Sequence, residues 1–165
     1  LALARLEHQK DAVKEKVDVL AITRSMIADI LPLAWKRDID IILNVDDSLP
    51  WYCFVEPSHI EILLQNLMSN GIKFSPNGSV IKVVWAQTAM QVELKVIDTG
   101  TGISEQDRNR LSERFFRSGE VEGAGLGLSI VKNIVDKYQG VLSFEDSLPQ
   151  GLTVHVKLPI LTNRK

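Results

Sequence analysis

Residues 65–74 read Gln65-Asn66-Leu67-Met68-Ser69-Asn70-Gly71-Ile72-Lys73-Phe74, and the way this stretch splits into two faces governs how the rest is read. On a helix, Asn66, Asn70 and Lys73 fall at i, i+4 and i+7 and project from one side. Leu63, Leu64 and Leu67 line the opposite side, so the helix offers leucines to a core and amides to something else. Two carboxamides and an ammonium suit a phosphate chain carrying a divalent cation: amide oxygens are hard ligands, and lysine is a point charge for phosphate. A solvated polar face with an asparagine near a helix end would look the same, so the stretch alone leaves both readings open.

Outward from this helix, predicted to run from His59 to about Ser69 behind Glu56-Pro57-Ser58, strands and helices are interspersed. Upstream lie a short strand Val17–Leu20, an amphipathic helix Ala21–Lys36 with Ile22, Met26, Ile30 and Leu33 as its stripe, and strands Ile39–Val45 and Trp51–Val55. Downstream, Pro76-Asn77-Gly78 turns the chain into a hairpin of Val80–Gln87 and Val92–Asp98. Thr99–Gly123 is mostly loop, Leu126–Tyr138 a third helix, and Val141–Glu145 with Leu152–Leu158 a second hairpin around Pro149-Gln150-Gly151. Antiparallel pairs with helices between them predict an α+β two-layer sandwich with a mixed, mainly antiparallel sheet, not a doubly wound parallel sheet.

Composition narrows the function classes. The 165 residues fit one domain, and the net charge of -2 supplies no basic excess to displace counterions from a nucleic acid. Three scattered histidines and the lone Cys53 make neither a zinc site nor a disulfide, and Cys53 reads as a small core residue. No apolar run approaches the roughly 20 residues that span a bilayer, and no signal-peptide pattern opens the chain. A cytoplasmic, soluble piece is expected, with room for an inner-membrane anchor in the parent protein.

Two further patterns carry chemistry. In Val96-Ile97-Asp98-Thr99-Gly100-Thr101-Gly102-Ile103 an aspartate closes a buried strand ahead of two glycines. Its carboxylate could accept a hydrogen bond from an exocyclic amine while the glycines let backbone approach a flat ring, although a plain Asp-x-Gly turn has the same spelling. Gly123-Ala124-Gly125-Leu126-Gly127-Leu128 runs straight into a helix, where glycine amides at the N-terminus form an anion cradle. It lacks the Gly-Lys-Ser/Thr of a P-loop, and no strand precedes it as a dinucleotide fingerprint requires.

Taken in order, the three patterns resemble the ATP-binding (Bergerat, or GHKL) fold shared by histidine kinases, DNA gyrase B, the ninety-kilodalton heat-shock chaperone and mismatch-repair ATPases. Within that superfamily they are most similar to sensor histidine kinases. Asn66 through Ser75 matches the asparagine box, and Asp98, Gly100 and Gly102 match the first glycine box. Glu113-Arg114-Phe115-Phe116-Arg117 matches the phenylalanine box, Gly123 through Leu128 the second glycine box, and Gly151-Leu152-Thr153 the closing one. The resemblance covers about residues 17 to 160. It implies that Asp98 binds the adenine amino group, with Gly100, Gly102 and Ile103 shaping the pocket. It also implies that Asn70 and Asn66 hold Mg2+ between the phosphates of ATP, and that Lys73 and Arg117 meet phosphate oxygens. Phe116, Gly123, Gly125, Leu126, Gly127 and Leu128 would belong to a lid and the helix start beneath it.

Four departures are visible: Leu111-Ser112 for the usual Ile-Phe, Ala124 for Thr or Ser, Gly71 for Ala, and a short lid at Ser118–Glu122. Hydrolysing members of the superfamily place a glutamate base one helical turn before the metal-binding asparagine. Here that position is Asn66, which cannot take a proton from water, so transfer to an acceptor is favoured over hydrolysis.

The expected acceptor is a histidine followed by an acidic residue on a helical hairpin. None of the three histidines fits: Gln9 follows His8, His59 opens a helix, and His155 lies in a strand. Residues 1–16 read as the tail of the dimerisation and histidine-phosphotransfer hairpin, 17–160 as the catalytic domain and 161–165 as a disordered tail. The implied partners are that hairpin and a cognate response regulator, with a homodimeric parent and a monomeric fragment. The alternative is a non-catalytic nucleotide-binding or scaffold module; a serine kinase of the anti-sigma-factor kind fits less well with a chain opening on a helix tail.

Overall fold

The computed structural model describes residues 14–45, 52–100, 106, 110, 127–147 and 150–160. A short strand, β1 (Glu15–Asp18), leads directly into helix α1 (Val19–Trp35). The expected strand at residues 17–20 is displaced toward the N-terminus because Asp18 caps the helix. Its Oδ1 accepts from the backbone N–H of Leu20 and Ala21, both at 3.0 Å, which commits Val19 and Leu20 to the first turn. Glu15, assigned to a helix tail on sequence, pairs with Val55 instead. Of the stripe expected on α1, Leu33 is 48% exposed, and Val19, Leu20, Thr23, Ile30 and Ala34 form the buried face. The buried register includes a threonine, and a hydrophobicity pattern gives it no weight.

Thr23 is buried for a reason. Its hydroxyl donates to Val19 O at 2.6 Å and accepts from the indole Nε1–H of Trp85 at 2.9 Å, joining α1 to the sheet beneath it. We expect Thr23→Val to cost about 1–3 kcal/mol by leaving that indole N–H buried and unpaired. Urea unfolding would show this, and Trp85→Phe in the Thr23→Val background should add less than it does alone. Additive losses would mean the bond contributes nothing.

After α1 come strands β2 (Asp40–Asn44) and β3 (Tyr52–Val55), then helix α2 (Pro57–Phe74). The hairpin β4 (Val80–Gln87) and β5 (Gln91–Ile97) follows. Helix α3 (Gly127–Lys137) and the hairpin β6 (Val141–Asp146) and β7 (Leu152–Pro159) complete the described residues. Five strands form one sheet in the order β2-β4-β5-β7-β6, and β1 pairs with β3 apart from it. All its pairings are antiparallel except β2 with β4. That parallel pair is closed by the α2 crossover, since parallel neighbours cannot be joined by a tight turn.

The helices cover one face of the sheet, with Ile81, Val83 and Trp85 of β4 and Val92, Leu94 and Val96 of β5 directed into the core. This is the α+β two-layer sandwich with a mixed, mainly antiparallel sheet. Cys53 is buried in that core, where desolvation pushes its thiol up to about 12.

Candidate functional site

Helix α2 runs five residues further than its leucine periodicity suggested, through Gly71 to Phe74. A methyl on Gly71 would lie 3.1 Å from Ile81 Cδ1, so β4 fills the space that an alanine would need. Ile60, Leu63, Leu64, Leu67 and Met68 are buried, which turns Asn66, Asn70 and Lys73 away from the core as the spacing required. Asn66 Nδ2 donates to Ile62 O at 2.7 Å, so its amide nitrogen is tied to its own helix and its oxygen faces outward. Lys73 is exposed, and among the described residues nothing engages its ammonium.

The start of α3 meets this polar face. A methyl on Gly127 would lie 3.3 Å from Asn66 Oδ1, 3.3 Å from Asn70 Nδ2 and 3.4 Å from Asn70 Oδ1. Two carboxamides therefore flank the first turn of α3, which is the positive end of that helix's dipole. Outward oxygen donors beside a helix N-terminus suit a divalent cation shared with an anion, so Mg2+ and a phosphate fit the residues present.

The third pattern lies at the C-terminal end of α2. Asp98 is 6% exposed, and its Oδ1 accepts from Gly100 N at 2.9 Å and from Leu152 N at 3.0 Å. Burial pushes the carboxyl pKa up from its ordinary value, and the two backbone N–H groups pull it back down. Among the described residues both bonds go to Oδ1, which leaves Oδ2 as the free acceptor.

Gly100 packs so closely on α2 that a Cβ there would sit 2.3 Å from Phe74 O. On the far side, Gly151 at φ +120° packs a would-be Cβ 2.1 Å from Asp98 O. The aspartate corner is thus clamped between the end of α2 and the start of β7. On sequence Gly151 is a hairpin turn residue and a box match; its positive φ, which favours glycine, and its close approach to Asp98 mark the constraint that the sequence does not show.

The structure therefore brings together Asn66, Asn70 and Gly127, and joins Asp98 and Gly100 to the turn that carries Lys73; Leu128 follows on α3, half-buried. Gly102, Ile103, Phe116, Arg117, Gly123, Gly125 and Leu126 lie outside the described residues, as do the lid at 117–123, most of the segment 1–16 and the tail 161–165.

A second polar cluster sits at the opposite end of α2. Tyr138 Oη accepts from Glu56 N at 3.0 Å and lies 2.6 Å from His59 Nδ1, while Lys137 Nζ donates to Glu56 Oε1 at 3.3 Å. The second ring nitrogen, Nε2, lies 3.2 Å from Glu56 Oε2. Desolvation lowers the His59 pKa, the carboxylate of Glu56 opposes it, and Lys137 and Lys14 add to the lowering. His59 is 0% exposed and His155 7%, so each is a packed structural histidine rather than an exposed one.

A family model described as histidine kinase-, DNA gyrase B-, and HSP90-like ATPase matches residues 55–162. The signal transduction histidine-protein kinase/phosphatase MprB of Mycolicibacterium vanbaalenii is 37% identical over 158 residues, covering 90% of this chain and 31% of that protein. The adaptive-response sensory kinase SasA of a Synechococcus strain is 32% identical over 143 residues, covering 84% of this chain and 38% of that protein. This chain thus spans about a third of the length of these curated relatives. A solved structure of a mycobacterial sensor histidine kinase MprB superposes with a TM-score of 0.78 at 33% identity, covering 89% of this chain and 97% of that one. With more than half of its length matched by the family model and the same fold in a structure at that identity, the chain belongs to the histidine kinase-, DNA gyrase B- and HSP90-like ATPase family.

Proposed function

We propose that residues of about 17–160 form the ATP-binding catalytic domain of a sensor histidine kinase. It hands the γ-phosphoryl group of ATP to a histidine on a dimerisation and phosphotransfer hairpin, whose tail lies in the residues ahead of β1. Asp98 Oδ2 accepts from the adenine amino group while Gly100, Gly102 and Ile103 let the ring lie against backbone. Asn66 and Asn70 would hold Mg2+ through their side-chain oxygens, and the ion would supply charge neutralisation for the phosphates. Lys73 and Arg117 hold phosphate oxygens, and Phe116, Gly123, Gly125, Leu126, Gly127 and Leu128 form the lid and the helix start under them. The acceptor imidazole nitrogen bonds to the γ-phosphorus as the bond to the bridging oxygen breaks, and ADP leaves.

The observation that favours transfer over hydrolysis is Asn66. Its amide nitrogen is held by Ile62 O, its oxygen faces the start of α3, and neither atom can take a proton from water. Burial of His59 and His155 removes both as acceptors, in keeping with an acceptor elsewhere in a homodimeric parent. Sensor kinases pass the phosphoryl group on to a response regulator, the partner expected here. Among the described residues no helix is long and apolar enough to cross a membrane.

The purified chain should bind Mg-ATP and release almost no phosphate. It should phosphorylate a separately supplied hairpin of its parent, giving an acid-labile phosphohistidine. Phosphate release as fast as in a dedicated ATPase would overturn the kinase reading, and no Mg-ATP binding would favour a scaffold module.

A further inference from the structure

The turn between α1 and β2 reaches the end of α2 through one side chain. Arg37 Nη1 donates to Ile72 O at 2.6 Å and to Lys73 O at 3.5 Å, Nη2 donates to Ser75 O at 2.5 Å, and Nε donates to Asn77 Oδ1 at 2.9 Å. The contact runs both ways, because Gly78 N donates to Arg37 O and Asp40 N to Ser79 O, both at 3.1 Å. Asp38, at φ +54°, ends α1 in a left-handed turn in which Asp38 N bonds Trp35 O and Ile39 N bonds Ala34 O. That turn fixes where Arg37 leaves the backbone.

Ile72 and Lys73 lie in the last turn of α2, where carbonyls have no helical partner and carry partial negative charge. A lysine in a last turn can fold back and hydrogen-bond such carbonyls. Here the guanidinium already occupies them, and the Lys73 ammonium is unengaged among the described residues.

We propose that Arg37 is a positioning residue for Lys73. By capping the end of α2 it keeps the lysine from capping its own helix, and so holds the ammonium available to phosphate. This rests on the reading of Lys73 as a phosphate contact. No motif carries Arg37, which sits in the connection Lys36-Arg37-Asp38.

The test is a double-mutant cycle on the full 165-residue chain, using calorimetric affinities for Mg-ATP and for adenosine. Arg37→Ala should weaken Mg-ATP about tenfold and leave adenosine within about twofold, because the effect is confined to phosphate. In the Lys73→Ala background, Arg37→Ala should cost less than about twofold further. Arg37→Lys, which keeps the charge but not the fork, should recover part of the loss, and it supplies the ATP-to-adenosine ratio if Arg37→Ala folds poorly. Additive losses, or equal losses for adenosine and ATP, would make Arg37 a structural cap only and overturn the inference. An unchanged ATP affinity in Lys73→Ala would overturn the reading of Lys73 itself, and the inference with it.

Discussion

Asp98→Asn is expected to weaken adenine nucleotides about 10- to 100-fold while leaving the fold intact. The substitution separates two jobs that one carboxylate performs. Oδ1 holds the corner together through Gly100 N and Leu152 N, and an asparagine oxygen can accept the same two bonds. The other position changes from an acceptor to an N–H donor. Facing the adenine amine, it exchanges a hydrogen bond to a charged group, worth roughly 1.5–3 kcal/mol, for two opposed donors. A guanine ring presents a carbonyl there, so guanine nucleotides should lose much less. Removing a buried charge also removes its desolvation, which already pushes the Asp98 pKa upward, so melting temperature should hold or rise. The check is calorimetric affinity for ATP and GTP beside thermal unfolding. Equal losses for both nucleotides would reduce Asp98 to a turn residue, and a fall in stability without a change in selectivity would mean that Oδ1 is its whole role.

The parts of the site legible in sequence were those written as a local period or an ordered set of boxes. Asn66, Asn70 and Lys73 share a helix face because helical geometry leaves no other arrangement once Leu63, Leu64 and Leu67 are buried. The antiparallel hairpins were legible from β-branched runs on either side of turn residues, with ends correct to within one residue. Tertiary contacts decided the rest. Val19 and Leu20 spell a strand until Asp18 captures the amides of Leu20 and Ala21, and Leu33 is the one member of the expected stripe that the packing of α1 does not use, Ile22, Met26 and Ile30 all meeting the core. The parallel pairing of β2 with β4 depends on a crossover that no local pattern encodes. Arg37 meets residues 35 to 40 positions away, and the meeting of Gly151 with Asp98 spans 53, so only the folded chain reveals either.

Gly151→Ala should do the greatest damage, because its surroundings cannot give way by moving a side chain. A methyl there meets Asp98 O at 2.1 Å, Asp98 C at 2.8 Å and Thr99 Cα at 2.9 Å, all of them backbone atoms. Its φ of +120° is also strained for any L side chain. Relief requires β7 to draw back from Asp98, and that breaks the pair of bonds Asp98 N to Leu152 O and Leu152 N to Asp98 Oδ1. The corner would then lose its second clamp, and the carboxylate would be free to turn. A stability loss of about 3 kcal/mol or more is expected in urea unfolding, with nucleotide affinity falling even in the fraction that stays folded. Gly78→Ala separates the two causes. Gly78 also has a positive φ, +82°, but nothing lies within 4 Å of its would-be Cβ, so only the conformational cost of about 1–2 kcal/mol applies. A Gly78→Ala chain should bind nucleotide normally. If the two variants lost equal stability and both still bound ATP, the close approach of β7 to Asp98 would have no part in shaping the site.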